Sequence, residues 1–200
     1  MIVQHMMKKV AVTKYQVNEL IKNRWSPRAF SEDKIHEDVL LSLFEAASWV
    51  SSSRNEQPWR FIYGVKDEGP NYEKIYDTLV HWNQQWAKTA PILVITIAKL
   101  NSEYHNDDNL FALYDLGQSV ANLIVQATDM NLYCHQMGGF DKEKVREAFQ
   151  LPANYTAVTA IAIGYLGDPS VLPDDMKELE DKARSRFDLN KIVFKDDFRP

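Results

Sequence analysis

Two hundred residues, 45% hydrophobic and 26% charged, make a chain long enough for one substantial core and too short for two. A net charge of -5 excludes a general surface for nucleic acid or anionic membrane, because no overall positive field gathers phosphates; any anion site has to be local. The single cysteine, Cys134, excludes an internal disulfide framework, and His5, His36, His81, His105 and His135 are too scattered to suggest a metal site.

Residues 1–14 have no long apolar core and no small-residue cleavage site, so they read as an N-terminal extension rather than a signal peptide, ahead of a single domain over 15–200. Val17, Leu20 and Ile21 make a short amphipathic helical turn. Past it, the stretch Arg24-Trp25-Ser26-Pro27-Arg28-Ala29-Phe30 puts two guanidinium groups and a hydroxyl within five residues, with Pro27 pushing Ser26 out of helical geometry. Two readings stand: a solvated helix cap, or a holder for phosphate or carboxylate.

Val39, Leu40, Leu43, Phe44 and Ala47 recur at helical spacing. The polar loop Ser51-Ser52-Ser53-Arg54-Asn55-Glu56-Gln57-Pro58-Trp59 follows, then a strand over 60–65. Such a loop is either a plain connection or a set of short donors and acceptors for a planar heterocycle. Helices are predicted over 71–80 and 82–88. The run 91–99, apolar at nearly every position, predicts a strand covered on both faces, and it is about half as long as a membrane helix. These features predict a cytoplasmic chain with no membrane partner.

Residues 109–131 predict the longest helix, with Leu113, Leu116, Gly117, Val120, Leu123, Ile124 and Ala127 in a wide apolar stripe. A strand over 132–137 enters Gly138-Gly139-Phe140-Asp141, where two glycines make either a simple turn or a close backbone approach to a ligand. A helix over 142–149, an internal strand over 155–166 and a charged helix over 174–183 complete the order. Arg184-Ser185-Arg186 and an extended tail follow.

Taken together, the arginine segment, the Ser-Ser-Ser-Arg-Asn-Glu-Gln-Pro-Trp loop, the Gly-Gly turn and the Arg-Ser-Arg segment resemble, in that order, the nitroreductase family of flavin enzymes. The similarity runs from about Tyr15 to Phe194. It implies an α+β fold with a central, mainly antiparallel sheet flanked by helices, in an intertwined homodimer binding FMN at the subunit interface. It implies that Arg24, Trp25, Ser26 and Arg28 bind the cofactor, with Arg24 at the phosphate and Arg28 nearer the ribityl chain and pyrimidine edge. Ser51, Ser52, Ser53, Asn55 and Gln57 would come from the partner subunit. Gly138 and Gly139 would offer backbone N–H groups, and Arg184 and Arg186 would close on the phosphate. Ser51 stands where the family usually has proline, and Trp25 where it often has a second basic residue.

The function so implied is FMN-dependent NAD(P)H oxidoreduction by a ping-pong route: NADH or NADPH reduces the flavin, and a nitroaromatic, quinone or activated double bond takes the electrons. No catalytic side chain is expected, the chemistry being the flavin's, with Arg28 stabilising its reduced form. Two alternatives are another flavin reaction on the same scaffold, such as dehalogenation, flavin fragmentation or dehydrogenation, and a non-catalytic FMN-binding module.

Overall fold

In a computed structural model, residues 9–104 and 106–198 are described; residues 1–8 of the expected extension, His105 and residues 199–200 lie outside them. The sheet is built around β2 (Ile92–Lys99), whose eight residues are all buried. Leu93, Ile95 and Ile97 point to one face and Ile92, Val94 and Ala98 to the other, each set joining its own apolar cluster. That is why the sequence run carries no polar alternation. β1 (Trp59–Val65) and β6 (Tyr155–Gly164) flank β2, and β5 (Tyr133–Met137) pairs with β6, giving the order β1-β2-β6-β5. All three pairings are antiparallel.

Helices cover both faces. On one side α3 (Asn71–Thr78), α4 (His81–Ala87) and α6 (Lys142–Phe149) bury Tyr72, Ile75, Trp86 and Val145. On the other, α2 (Glu37–Ser48) and α5 (Ala112–Asp129) bury Leu40, Leu43, Leu116 and Leu123. The α+β sheet flanked by helices is therefore as expected. α1 (Glu19–Asn23) precedes the arginine stretch, and α7 (Asp174–Asp181) lies near the C-terminus.

The differences from expectation are local. α5 begins at Ala112 rather than 109, because the Asn109 side chain accepts from Phe111 N at 3.1 Å and holds a turn outside the helix. A small hairpin of β3 (Asn101–Ser102) and β4 (Asp107–Asp108), too short to leave a sequence period, fills the connection before it. The tail carries a 3-10 turn at Leu189–Lys191.

The arginine stretch is fixed to the far end of β6. Ser31 N donates to Tyr165 O at 2.9 Å, Gly167 N donates to Ala29 O at 3.0 Å, and Phe30 bridges to Leu166. A Cβ at position 167 would lie 2.4 Å from the Phe30 carbonyl oxygen, so only glycine admits this approach.

Candidate cofactor site

α1 ends where Arg24 turns to extended geometry (φ -63°, ψ 122°) while its N–H still bonds Leu20 O at 3.0 Å. This exit points the half-buried Arg24 side chain across the surface to Arg184 and Arg186, which follow α7. The three line one pocket of about 300 Å³, together with Ala11, Val12 and Thr13 from the N-terminal segment. Two ends of the chain thus converge on this pocket. Burial first, then Arg186, draws the Arg24 guanidinium below its ordinary pKa; burial, then Arg24 and Arg186, does the same for Arg184. Guanidinium nonetheless stays charged at any physiological pH. Among the described residues none of the three forms an ion pair with a carboxylate.

The rest of the first motif is arranged differently. Ser26 Oγ accepts from Arg24 Nη1 at 3.2 Å, outside the lining of the pocket. Trp25 is buried edge-on against Tyr133, ring centroids 5.9 Å apart, with Lys9 Nζ 5.0 Å from its own ring. Arg28 is held by Glu180 of α7: its backbone N–H donates to Oε1 at 2.9 Å, and its Nη1 lies 3.4 Å from the same oxygen. Glu180 is only 3% exposed, and burial raises its carboxyl pKa. Arg28 Nε and Glu180 Oε2 are buried with no partner among the described residues, which leaves one donor and one acceptor of this pair unused.

His135 on β5 completes this scaffold. Its Nδ1 lies 2.8 Å from Pro27 O; a carbonyl can only accept, so Nδ1 carries the proton. The ring packs on Trp86 at 4.4 Å, and burial lowers its pKa to about 4. It is therefore a neutral strut under the arginine stretch. Cys134 beside it is buried, its thiol pushed up to about 12 by burial, and is no nucleophile.

The serine-rich loop is tightly braced. Ser53–Asn55 is a 3-10 turn, and Arg54, Asn55 and Gln57 sit at φ 54°, 56° and 44°, in left-handed backbone that non-glycine residues rarely adopt. Asp115 of α5, 2% exposed, accepts from Ser53 N at 3.0 Å, and Ser52 Oγ accepts from Gln57 N at 3.0 Å. The Glu56 carboxylate accepts from Ser102 Oγ and from the N–H groups of Glu103 and Tyr104, tying the loop to the β3–β4 hairpin. Arg54 stacks on Tyr104 at 4.9 Å. Backbone strain held by surrounding bonds is typical of sites that present groups to a ligand. Within one chain no described hydrogen bond or pocket joins Ser51, Ser52, Ser53, Asn55 or Gln57 to the arginine pocket.

Gly138, just past β5, is exposed, with open space where a Cβ would stand. Gly139 is fixed: its carbonyl accepts from Val80 N at 3.1 Å and Asn83 Nδ2 at 2.9 Å, and a Cβ there would meet Asn83 Nδ2 at 2.8 Å. The turn thus presents bare backbone on an open side.

Sequence reasoning missed Glu180, His135, Asp115 and Glu56 as supporting residues. Asp115 left a signal, a carboxylate beside Leu116 in the apolar stripe of α5; Glu180 left none, lying in a run of charges.

The profile of the nitroreductase family matches residues 21–69 and 63–165. A solved structure described as an oxidoreductase containing FMN is 32% identical with a TM-score of 0.88, covering 94% of this chain and 96% of that one. A protein of Archaeoglobus fulgidus, whose name proposes an NADH dehydrogenase/NAD(P)H nitroreductase, is 25% identical over 178 residues, 87% of this chain and 94% of that protein. An uncharacterized 15.4 kDa protein of Mycolicibacterium smegmatis is 31% identical over 84 residues, and the chain spans only 56% of its length.

Proposed function

The chain belongs to the nitroreductase family, and from that premise we propose that it is an FMN-dependent NAD(P)H oxidoreductase working by a ping-pong cycle on an electron-poor acceptor: a nitroaromatic, a quinone or an activated double bond. The observation that carries the cofactor is the arginine pocket. Three guanidinium groups converge there, none of them ion-paired to a carboxylate among the described residues, in a protein of net charge -5, and a phosphate monoester of nearly two negative charges answers that field.

Arg24, Arg184 and Arg186 hold the phosphate in this reading. Arg28, steadied by Glu180, supplies a cation whose charge is partly balanced before any ligand arrives. Ser51, Ser52, Ser53, Asn55 and Gln57 supply hydrogen bonds from a loop whose left-handed backbone is already set, so little ordering entropy is lost on binding. Gly138, with open space where a Cβ would stand, offers its backbone N–H to the flavin in this reading. When bound, FMN supplies the reversible two-electron chemistry that connects the two. His135, neutral and engaged to Pro27, is not poised as a general base.

The separation of the serine-rich loop from the arginine pocket supports a homodimer in which each site takes its loop from the partner. So do the exposed apolar side chains at the start of α5 and at the end of α2. Among the described residues no helix is long and apolar enough to cross a membrane.

The test is a visible spectrum of the purified chain incubated with FMN, followed by anaerobic addition of NADH or NADPH. Flavin absorbance that bleaches with one or both donors and returns with menadione is the expected result. A chain that takes up no flavin sinks the proposal.

A further inference from the structure

The three arginines of the pocket repel one another, so something other than an acid has to hold them together in the flavin-free chain. The N-terminal segment and α1 do this together. Arg184 Nη1 donates to two carbonyls at once, Lys9 O at 2.8 Å and Lys22 O at 2.7 Å, and Ala11 N donates to Lys22 O at 2.9 Å. Lys9 Nζ reaches Lys182 O at 3.0 Å and lies 5.0 Å from the Trp25 ring. Residues 9–11 are therefore stitched to the exit of α1, which delivers Arg24, and to the exit of α7, which delivers Arg184 and Arg186. Residues 11–13 also form a wall of the pocket. The segment lies ahead of the stretch 21–165 that the family profile matches.

We propose that residues 9–13 are a positioning strap for the anion site, fixing Arg184 against Arg24 and so setting the preference for a phosphorylated flavin over riboflavin. The inference rests on the flavin reading above. Arg184 spends one nitrogen on the strap; because guanidinium is planar and rigid, pinning Nη1 orients Nη2 and Nε, which remain available to an oxyanion. The strap's hydrogen bonds run to α1 and to the segment after α7, the elements that carry Arg24, Arg184 and Arg186, and Lys9 adds its contact with Trp25.

The experiment titrates FMN and riboflavin separately into flavin-free protein, following flavin fluorescence. It compares the wild type with Ala11→Pro, which removes the N–H given to Lys22, and with a chain lacking residues 1–13. Thermal unfolding without flavin monitors the fold. The FMN dissociation constant should rise about tenfold in the truncated chain and by a smaller factor in Ala11→Pro, while the riboflavin constant stays within about twofold. If truncation unfolds the chain, Ala11→Pro decides alone. Equal weakening of both flavins, or unchanged FMN affinity, overturns the strap. A wild-type chain that binds FMN no better than riboflavin overturns it too, and one that binds neither overturns the flavin reading with it.

Discussion

A half-buried guanidinium beside two others, with no carboxylate partner among the described residues, costs free energy until an anion settles on it. Arg24 is such a group. Arg24→Ala should leave the flavin-free protein within about 1 kcal/mol of wild type, the scale of a lost helix cap, because repulsion is relieved as contacts go. FMN retention on gel filtration and the FMN dissociation constant should change far more, by about tenfold or greater. An equal loss of stability and retention would return Arg24 to the role of a cap. The sequence brought Arg24, Arg184 and Arg186 into view through the motif order. It could not have revealed that Arg28 faces Glu180, because burial of one carboxylate in the run Asp174-Asp175-Met176-Lys177-Glu178-Leu179-Glu180-Asp181 depends on where α7 docks.

His135 makes a pH prediction at the same scale. Its pKa near 4 in the fold lies below the unfolded value of 6.5, so the unfolded chain takes the proton first. Stability from this group is complete above pH 6.5 and falls as pH drops toward 4, by on the order of 3 kcal/mol. Glu180, its carboxyl raised by burial, works in the opposite direction around its own titration, so wild type has to be compared with His135→Gln, whose amide can still donate to Pro27. Urea unfolding of the flavin-free proteins at pH 7 and 4.5 measures the difference. The variant should lose less stability on acidification, and parallel losses would rule the histidine out as the cause.

Elements explain why the serine-rich loop keeps its strained shape. Its N-terminal side hangs on α5 through Asp115, and its C-terminal side is bound through Glu56 to the β3–β4 hairpin. Asp115→Leu would leave Ser53 N unpartnered near the core, costing about 1–3 kcal/mol of stability. Asp115→Asn keeps an acceptor and should cost less. If the loop serves the flavin, Asp115→Leu also weakens FMN binding although it touches none of the three arginines; unchanged affinity would place the loop outside the site. The long helices and β2 were legible from apolar period alone, since each buries a continuous stripe or run. The hairpin and the left-handed turn were not. They depend on bonds between residues some 46 positions apart, Glu56 and Ser102, and no local period records them.

At the scale of the whole molecule, large apolar side chains stand exposed around the start of α5 and the end of α2. The stripe read along α5 grouped Leu113 with Leu116, Val120, Leu123 and Ile124, yet the fold buries the last four and leaves Leu113 55% exposed. Leu110 at 87%, Phe111 and Tyr114 stand open beside it, and Trp49 at the end of α2 is 79% exposed. α2 and α5 pack together, so these groups lie on one side of the sheet. Large apolar side chains left this exposed on one side of a fold are candidates for an interaction surface. The serine-rich loop springs from the end of α2 next to Trp49, and in the homodimer proposed above this is the surface at which a second copy would dock. Light scattering at micromolar concentration should return twice the chain mass. Replacing Leu110 and Leu113 together with glutamate should yield monomers and release FMN in the same step, while the flavin-free monomer keeps its helical circular dichroism, because neither side chain is part of the core. Monomers that hold FMN with wild-type affinity would mean that each chain completes its site alone, and the serine-rich loop would then lose its assigned place beside the partner's phosphate clamp.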